Sequence, residues 1–425
     1  MTTRSSLLPM TGALLVGLAA FAYAKTNDAS DTTSVGALPQ QAVTIDPLSF
    51  AVIGENGTFR ENSITSFFNP TNTSPPFFQV FDPAFLDILG PHATIRSVAS
   101  NPDFAFAHEA PIWNPETDDF FFASNDGGAL GFSDLNHNSK YGKINLKEVT
   151  KAIRDANAST SAVNVTVTEL DLPETIQMTN GGTGPYHGNL LLITSGRGPR
   201  PPSIALVNPN PPHNVTVLLD NFFGRQFNSL NDIKVHPTNG KFFFTDVTYG
   251  FLNQFRPAPL MPSQVYRFDP TAGSVRVVAD GMLRPNGIAF TGDGNTAYVK
   301  VTKDLAFIFG VVGGVFGNNQ TNPATIYQFD VDLTTHTFVN RRVFAYTDTG
   351  IPDGIQVDTK GNVYSGCGDG VQVWNSQGIL IGKFFLGTTS SNMAFAGKGR
   401  LVINAETNIF LAEIAAEGLD LASFT

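Results

Sequence analysis

Six times along the chain a short polar motif precedes a run of apolar, strand-forming residues. His108-Glu109-Ala110 comes before Phe120-Phe121-Phe122, Asn180-Gly181-Gly182 before Leu190-Leu191-Leu192-Ile193, and Asn231-Asp232-Ile233 before Phe242-Phe243-Phe244. Asn286-Gly287-Ile288 then precedes Ala297-Tyr298-Val299, Asp353-Gly354-Ile355 precedes Val363-Tyr364, and Asn392-Met393-Ala394 precedes Leu401-Val402-Ile403. Turns such as Pro237-Thr238-Asn239-Gly240, Gly292-Asp293-Gly294 and Asp358-Thr359-Lys360-Gly361 separate the two parts. The unit is a blade, and six copies predict an all-β chain folded as a six-bladed β-propeller.

The repeat also predicts where the polar residues go. A strand rises about 3.3 Å per residue and a Gly-containing turn reverses it, so a residue starting the first strand lies at one end of its sheet. Copies set around an axis bring all six starts to one mouth of a central channel. The competing reading is that Asn and Asp merely make turns, since both bond their own backbone and tolerate left-handed conformations. Glu109 does not suit that reading, because His108-Glu109-Ala110-Pro111-Ile112-Trp113 has poor turn propensity.

Between the repeats the pattern is less regular. Leu146 to Ala156 predicts the one persuasive helix, with Asn145 as cap, Glu148 completing a capping box, and Leu146, Val149 and Ile153 on one face. From Ala42 to Pro91 the prolines Pro70, Pro75, Pro76 and Pro83 break up an aromatic stretch, which is expected to supply the outer strand closing the last blade. Leu305 to Phe316 is apolar and Gly-rich, too short to span a membrane. It reads either as a buried strand and loop or as an apolar wall of a substrate pocket.

Composition sets the compartment and the partners. Arg4, the apolar stretch Leu7 to Phe21 and Ala22-Tyr23-Ala24 fit a cleaved signal peptide over 1–24 better than a transmembrane anchor. A flexible segment over 25–41 and a single propeller domain over 42–425 are expected to follow, in a secreted or lumenal protein. Six sequons, Asn56, Asn72, Asn157, Asn164, Asn214 and Asn319, are glycosylation candidates in that compartment. The lone cysteine, Cys367, excludes an intrachain disulfide and reads as packing rather than as a nucleophile. A net charge of −10 disfavours nucleic acid and anionic membranes as partners and favours attracting a cation.

Glu109, Asn231, Asn286 and Asp353 are the residues that carry chemistry. They offer oxygen and neither sulfur nor imidazole, which suits a hard cation rather than zinc or copper. Two carboxylates and two amides match a divalent ion. Calcium is expected over magnesium, because ligands from four separate blades tolerate its longer bonds and looser geometry. Asp232, next to Asn231, is expected to orient a ligand rather than serve as one. On an extended strand His108 would point away from Glu109, either orienting a water or lying satisfied in the core. Asn180 and Tyr249 are further candidates for contacting substrate.

Five segments resemble the senescence-marker/gluconolactonase superfamily, most nearly the fungal lactonohydrolases. They are Phe104-Ala105-Phe106-Ala107-His108-Glu109-Ala110, Gly224-Arg225-Gln226-Phe227-Asn228-Ser229-Leu230-Asn231-Asp232, Phe244-Thr245-Asp246-Val247-Thr248-Tyr249-Gly250, Arg284-Pro285-Asn286-Gly287 and Ile351-Pro352-Asp353-Gly354. The resemblance implies a six-bladed propeller with one catalytic calcium in its channel, hydrolysing aldonate-type or pantoyl lactones. It also implies that Glu109, Asn231, Asn286 and Asp353 hold the metal and that Asp353 is the catalytic carboxylate. One position departs from that pattern: Lys300-Val301 stands where related lactonases carry a Thr-Asp pair like Thr245-Asp246. Lys300 is then either a solvated blade-edge lysine or a cationic group that anchors an acidic substrate or replaces part of the calcium's electrostatic role. The leading expectation is a secreted calcium-dependent lactone hydrolase. Its competitors are a repurposed propeller of fungal secondary metabolism that dehydrates, isomerises or cyclises an apolar intermediate, and a non-catalytic binding propeller.

Overall fold

In the computed structural model, which describes residues 38–55, 57–156, 161–302 and 324–420, each apolar run lies in the second strand of an antiparallel blade. Blade one is Glu109–Asn114, Asp119–Ala123, Tyr141–Asn145 and Thr168–Glu169; blade two is Thr179–Tyr186, Asn189–Thr194, Ser203–Val207 and Val215–Leu219. Blade three is Leu230–Val235, Phe242–Asp246, Gln264–Asp269 and Ser274–Ala279; blade four is Pro285–Phe290, Thr296–Thr302, Ala324–Val331 and Phe338–Tyr346. Blade five begins Ile355–Val357, Val363–Cys367, Gly370–Trp374 and Leu380–Phe385, and blade six begins Asn392–Phe395, Arg400–Ala405 and Asn408–Glu413. The fold is a six-bladed β-propeller.

The runs are continuously apolar because each blade is covered on both faces. Successive side chains of a strand point to opposite faces, so Phe120 and Phe122 pack with Val402 and Leu411 of blade six, while Phe121 packs with Leu190 and Leu192 of blade two. Phe242 and Phe244 likewise face blade two, and Phe243 faces blade four. Among the described residues each of the six seams between neighbouring blades has its own buried cluster.

The closing strand lies outside the stretch expected to provide it. Blade six is completed by Thr94–Ser100, paired antiparallel with Asn408–Glu413, so the two ends of the chain share one sheet. The stretch before it instead adds Phe77–Val80 and then Ala42–Thr44 to the outside of blade five. Two of its prolines sit at element ends, Pro76 just before Phe77–Val80 and Pro83 at the N-cap of the short helix Ala84–Leu89, where no sheet or helix hydrogen bond is lost. The expected helix is present as Leu146–Asp155, with the Asn145 side chain accepting from the N–H groups of Lys147 and Glu148.

The expected signal peptide, most of the segment 25–41 and the apolar segment Leu305 to Phe316 lie outside the described residues, as do Asn56, Asn157 and Asn319. Gln41 is held in place, its amide donating to the Ile95 carbonyl and accepting from the Ile95 N–H, both at 2.9 Å. Asn72, Asn164 and Asn214 are exposed. Cys367 is buried and free, and burial pushes its thiol well above the usual range.

Candidate active site

A β-bulge interrupts the ladder in four blades, and in three of them the polar residue, Asn180, Asn231 or Asn286, lies within it. The register between first and second strands slips between Glu109 and Ile112, Thr179 and Gly182, Leu230 and Ile233, and Pro285 and Ile288. An extra residue in one strand bends it and redirects its side chains. In blade one the slip coincides with a positive φ of 48° at Ala110. His108 precedes the strand that begins at Glu109, so strand alternation does not govern it, and the two side chains, expected to point apart, meet: one ligand atom from each lies within 4.8 Å of the other and of Asp353.

The glycines after three of the motifs are needed for space. A Cβ at Gly181 would lie 2.6 Å from the Asn231 carbonyl oxygen, one at Gly287 2.7 Å from that of Asp353, and one at Gly354 2.1 Å from the Asn392 side chain. Each glycine lets the next blade's polar residue approach the axis. In blade three the corresponding residue is Asp232. Its carboxylate accepts from the Ile233 N–H at 2.8 Å and from the Ile288 N–H of blade four at 2.9 Å, so it ties two blades together.

Hydrogen bonds orient three of the four residues singled out in the sequence. Asn392 Nδ2 donates to Glu109 Oε2 at 2.7 Å, and Asn286 Nδ2 donates to the Tyr249 hydroxyl at 3.4 Å. Asn231 Nδ2 donates to Asn180 Oδ1 at 3.2 Å, leaving Asn231 Oδ1 buried with no hydrogen-bond partner among the described residues. Asn180 is itself buried, with Nδ2 on Asp126 Oδ2 at 2.9 Å, so its polar atoms serve neighbouring side chains. Asp353 is the more open carboxylate, its side chain 22 % exposed. His108 places Nε2 4.0 Å from Asp353 Oδ2 and Nδ1 2.7 Å from Glu406 Oε1, and Asn125 Nδ2 donates to the other Glu406 oxygen at 3.1 Å.

Asp126 and Glu406 escaped the sequence reading. Both are carboxylates just beyond the end of a second strand, and that was the available signal. Burial pushes the Asp126 pKa up to about 6. Burial and then the neighbouring Asp353 push the Glu109 carboxyl well up. The His108 imidazole is raised well above its ordinary value: burial opposes its charge, but the bonded Glu406 outweighs it with help from Asp353 and Glu109.

Lys300 lies inside the molecule. It sits opposite the bulge of blade four as Thr245 sits opposite that of blade three, and it is fully buried with no hydrogen-bond partner for Nζ among the described residues. Burial pulls its pKa down to about 8, against the attraction of Asp353, Glu109 and Asp232. Thr245 at the matching place donates to the Asn286 carbonyl at 2.9 Å. The adjacent Val301 packs in the seam between blades three and four.

The donors fit a hard divalent cation. Two buried or half-buried carboxylates close together repel one another, an amide oxygen in the same ring of motifs is left without a donor, and the set is all oxygen apart from His108. An oxygen-liganded divalent ion answers each of these features.

A model for the SMP-30/Gluconolactonase/LRE-like region matches residues 109–405, from the first motif to the end of the second strand of blade six. The chain belongs to that family. Among curated relatives of this SMP-30/gluconolactonase member, Lactonohydrolase oryL of Aspergillus oryzae is 27% identical over 318 residues, covering 74% of this chain and 68% of the relative. A Gluconolactonase of Zymomonas mobilis is 27% identical over 206 residues, covering 46% of this chain and 52% of the relative. Among solved structures, a gluconolactonase of Xanthomonas campestris superposes with a TM-score of 0.60 at 25% identity, covering 79% of this chain and 93% of that one. A calcium-binding regucalcin from Agrobacterium tumefaciens superposes with a TM-score of 0.53 at 16% identity, covering 76% and 96%, a likeness of fold.

Proposed function

We propose that this family member is a calcium-dependent lactone hydrolase opening an aldonate-type or related lactone, with Glu109, Asn231, Asn286 and Asp353 holding the ion. The observation that carries the reading is the meeting of Glu109 and Asp353 in one cluster, together with the buried, unpartnered oxygen of Asn231. The names of the relatives, lactonohydrolase and gluconolactonase, support the substrate class. When bound, calcium would polarise the lactone carbonyl and stabilise the oxyanion that forms on attack. Asp353, the exposed carboxylate of the pair, would take the proton of the attacking water. His108, kept charged by Glu406, holds a proton beside Asp353 that the departing ring alkoxide requires. The pattern of residues 1–24 supports entry into the secretory pathway, which sequencing the N-terminus of the secreted protein would test.

The experiment is a panel of sugar and hydrophobic lactones incubated with calcium-loaded protein and followed by mass. A gain of one water by substrate, lost in chelator and abolished in Asp353→Asn with the fold retained, is the expected result. Undiminished turnover by Asp353→Asn would remove that carboxylate from the reaction. A second reading keeps the site and changes the chemistry to dehydration, isomerisation or cyclisation. It is favoured by Lys300, a buried amine with a pKa near 8 among the site's carboxylates. Loss of water or an unchanged mass in the product would select it.

A further inference from the structure

An asparagine amide is nearly the same shape in its two flipped orientations, yet one presents an oxygen and the other an N–H₂ group. If Asn231 is to hold a cation, something must fix which end faces it. We infer that Asp126 is the positioning residue that does so, acting through Asn180. An ionised carboxylate can only accept, and Asp126 Oδ2 takes Asn180 Nδ2 at 2.9 Å. That turns Asn180 Oδ1 toward Asn231, where it accepts from Asn231 Nδ2 at 3.2 Å and leaves Asn231 Oδ1 as the unpaired end. The three residues are 7%, 3% and 3% exposed, so water does not compete to reverse the order. Ser195 Oγ anchors the start of the chain, 3.2 Å from Asp126 Oδ2 and 3.1 Å from the Leu230 carbonyl next to Asn231. Blade one, through Asp126, thereby sets a ligand that blade three supplies, with the candidate substrate contact Asn180 as the link between them.

The inference rests on the calcium reading for its purpose but not for its test, which reverses the polarity of the relay. In Asp126→Asn the acceptor-only end is lost, Asn180 occupies both orientations, and Asn231 follows. In Asn231→Asp two carboxylates flank one amide, whose nitrogen can face only one of them. In the double variant the new amide at 126 donates to Asn180 Oδ1, Asn180 Nδ2 donates to the new carboxylate at 231, and that carboxylate offers oxygen to a cation in either orientation. Calcium titration calorimetry and thermal unfolding in chelator are measured for all four proteins. Asp126→Asn is expected to weaken calcium binding 10- to 100-fold, the range typical of groups that orient metal ligands, when 231 is Asn. It should leave binding unchanged or stronger when 231 is Asp. In chelator each single variant should unfold at a lower temperature than the parent, with the double variant recovering the loss. Additive effects in both measurements, with Asp126→Asn equally harmful in either background, would overturn the relay. A parent that binds no calcium would defeat the proposed function, while the unfolding cycle in chelator would still decide whether Asp126 sets the amides.

Discussion

Asp246 shows how a single carboxylate can serve the site without touching it. Closing the second strand of blade three, it accepts from the N–H groups of Asn228 at 3.0 Å and Ser229 at 2.9 Å, the two residues that begin the approach to Asn231. Those bonds favour its charged form, but burial is larger and pushes its pKa up to about 7. In the unfolded chain it titrates near 4. The folded state thus keeps a proton that the unfolded state has already released. Stability should fall as pH rises from about 4 to 7, with a slope of up to about 1.4 kcal/mol per pH unit, and the contribution should be flat above that. Asp246→Asn removes the titration, so urea midpoints measured in chelator across this range should lose that part of the slope. A variant that keeps the parent's full slope would place the titration elsewhere. Blade four has Val301 at the matching position, and Lys300 beside it lies among the carboxylates. The substitution that distinguishes this chain from the usual Thr-Asp pair thus divides into a packing change at 301 and an electrostatic change at 300.

The blade is the element that the sequence pattern could predict, because period and spacing survive without knowledge of partners. Each apolar run had to be a strand buried on both faces, and Phe243 illustrates the cost of breaking one. Its ring is fully buried in the seam with blade four and stacks on Phe338 with centroids 5.5 Å apart and planes 7° from parallel. Phe243→Ala should cost about 3–5 kcal/mol, read as a shift in the denaturation midpoint. A loss under about 1 kcal/mol would mean the seam repacks. The parts that could not be read are those created by pairing. A strand's first residue is set by its pairing, so the alternation that sent His108 away from Glu109 could not register that the strand begins only at Glu109 and that His108 lies outside it. The closing strand was misplaced because the prolines looked like breaks within an element, when two of them mark the ends of a strand and a helix added to blade five. Asp126 and Glu406 lay in turns after second strands, and only the ring of blades carries those turns to the motifs.

At the scale of the molecule, the ring is closed by Thr94–Ser100 on Asn408–Glu413, while the candidate ligands come from blades one, three, four and five. Ring closure joins blades at their outer edges, and a cation would join them at the axis. Those are independent restraints on the same opening motion, so binding should stabilise the whole propeller rather than one loop. A ligand that binds only the folded state at a hundred times its dissociation constant adds about 2.7 kcal/mol. For a chain of this size that amounts to a rise of roughly 3–5 °C in Tm. Calcium should therefore raise the unfolding temperature in a single cooperative transition, and chelator should reverse it. Magnesium at equal concentration should do less, because candidate ligands drawn from four blades would suit calcium's looser geometry better than magnesium's bond length of about 2.0–2.1 Å. Glu109→Gln should require more calcium to reach the same shift, since it removes one of the two carboxylates. A calcium-induced rise confined to an early, partial transition would show that the ion steadies a local loop and that the blades are held by their seams alone. No rise at any concentration would leave the repulsion between Glu109 and Asp353 without its proposed counter-ion, and would shift the electrostatic role at the axis to Lys300.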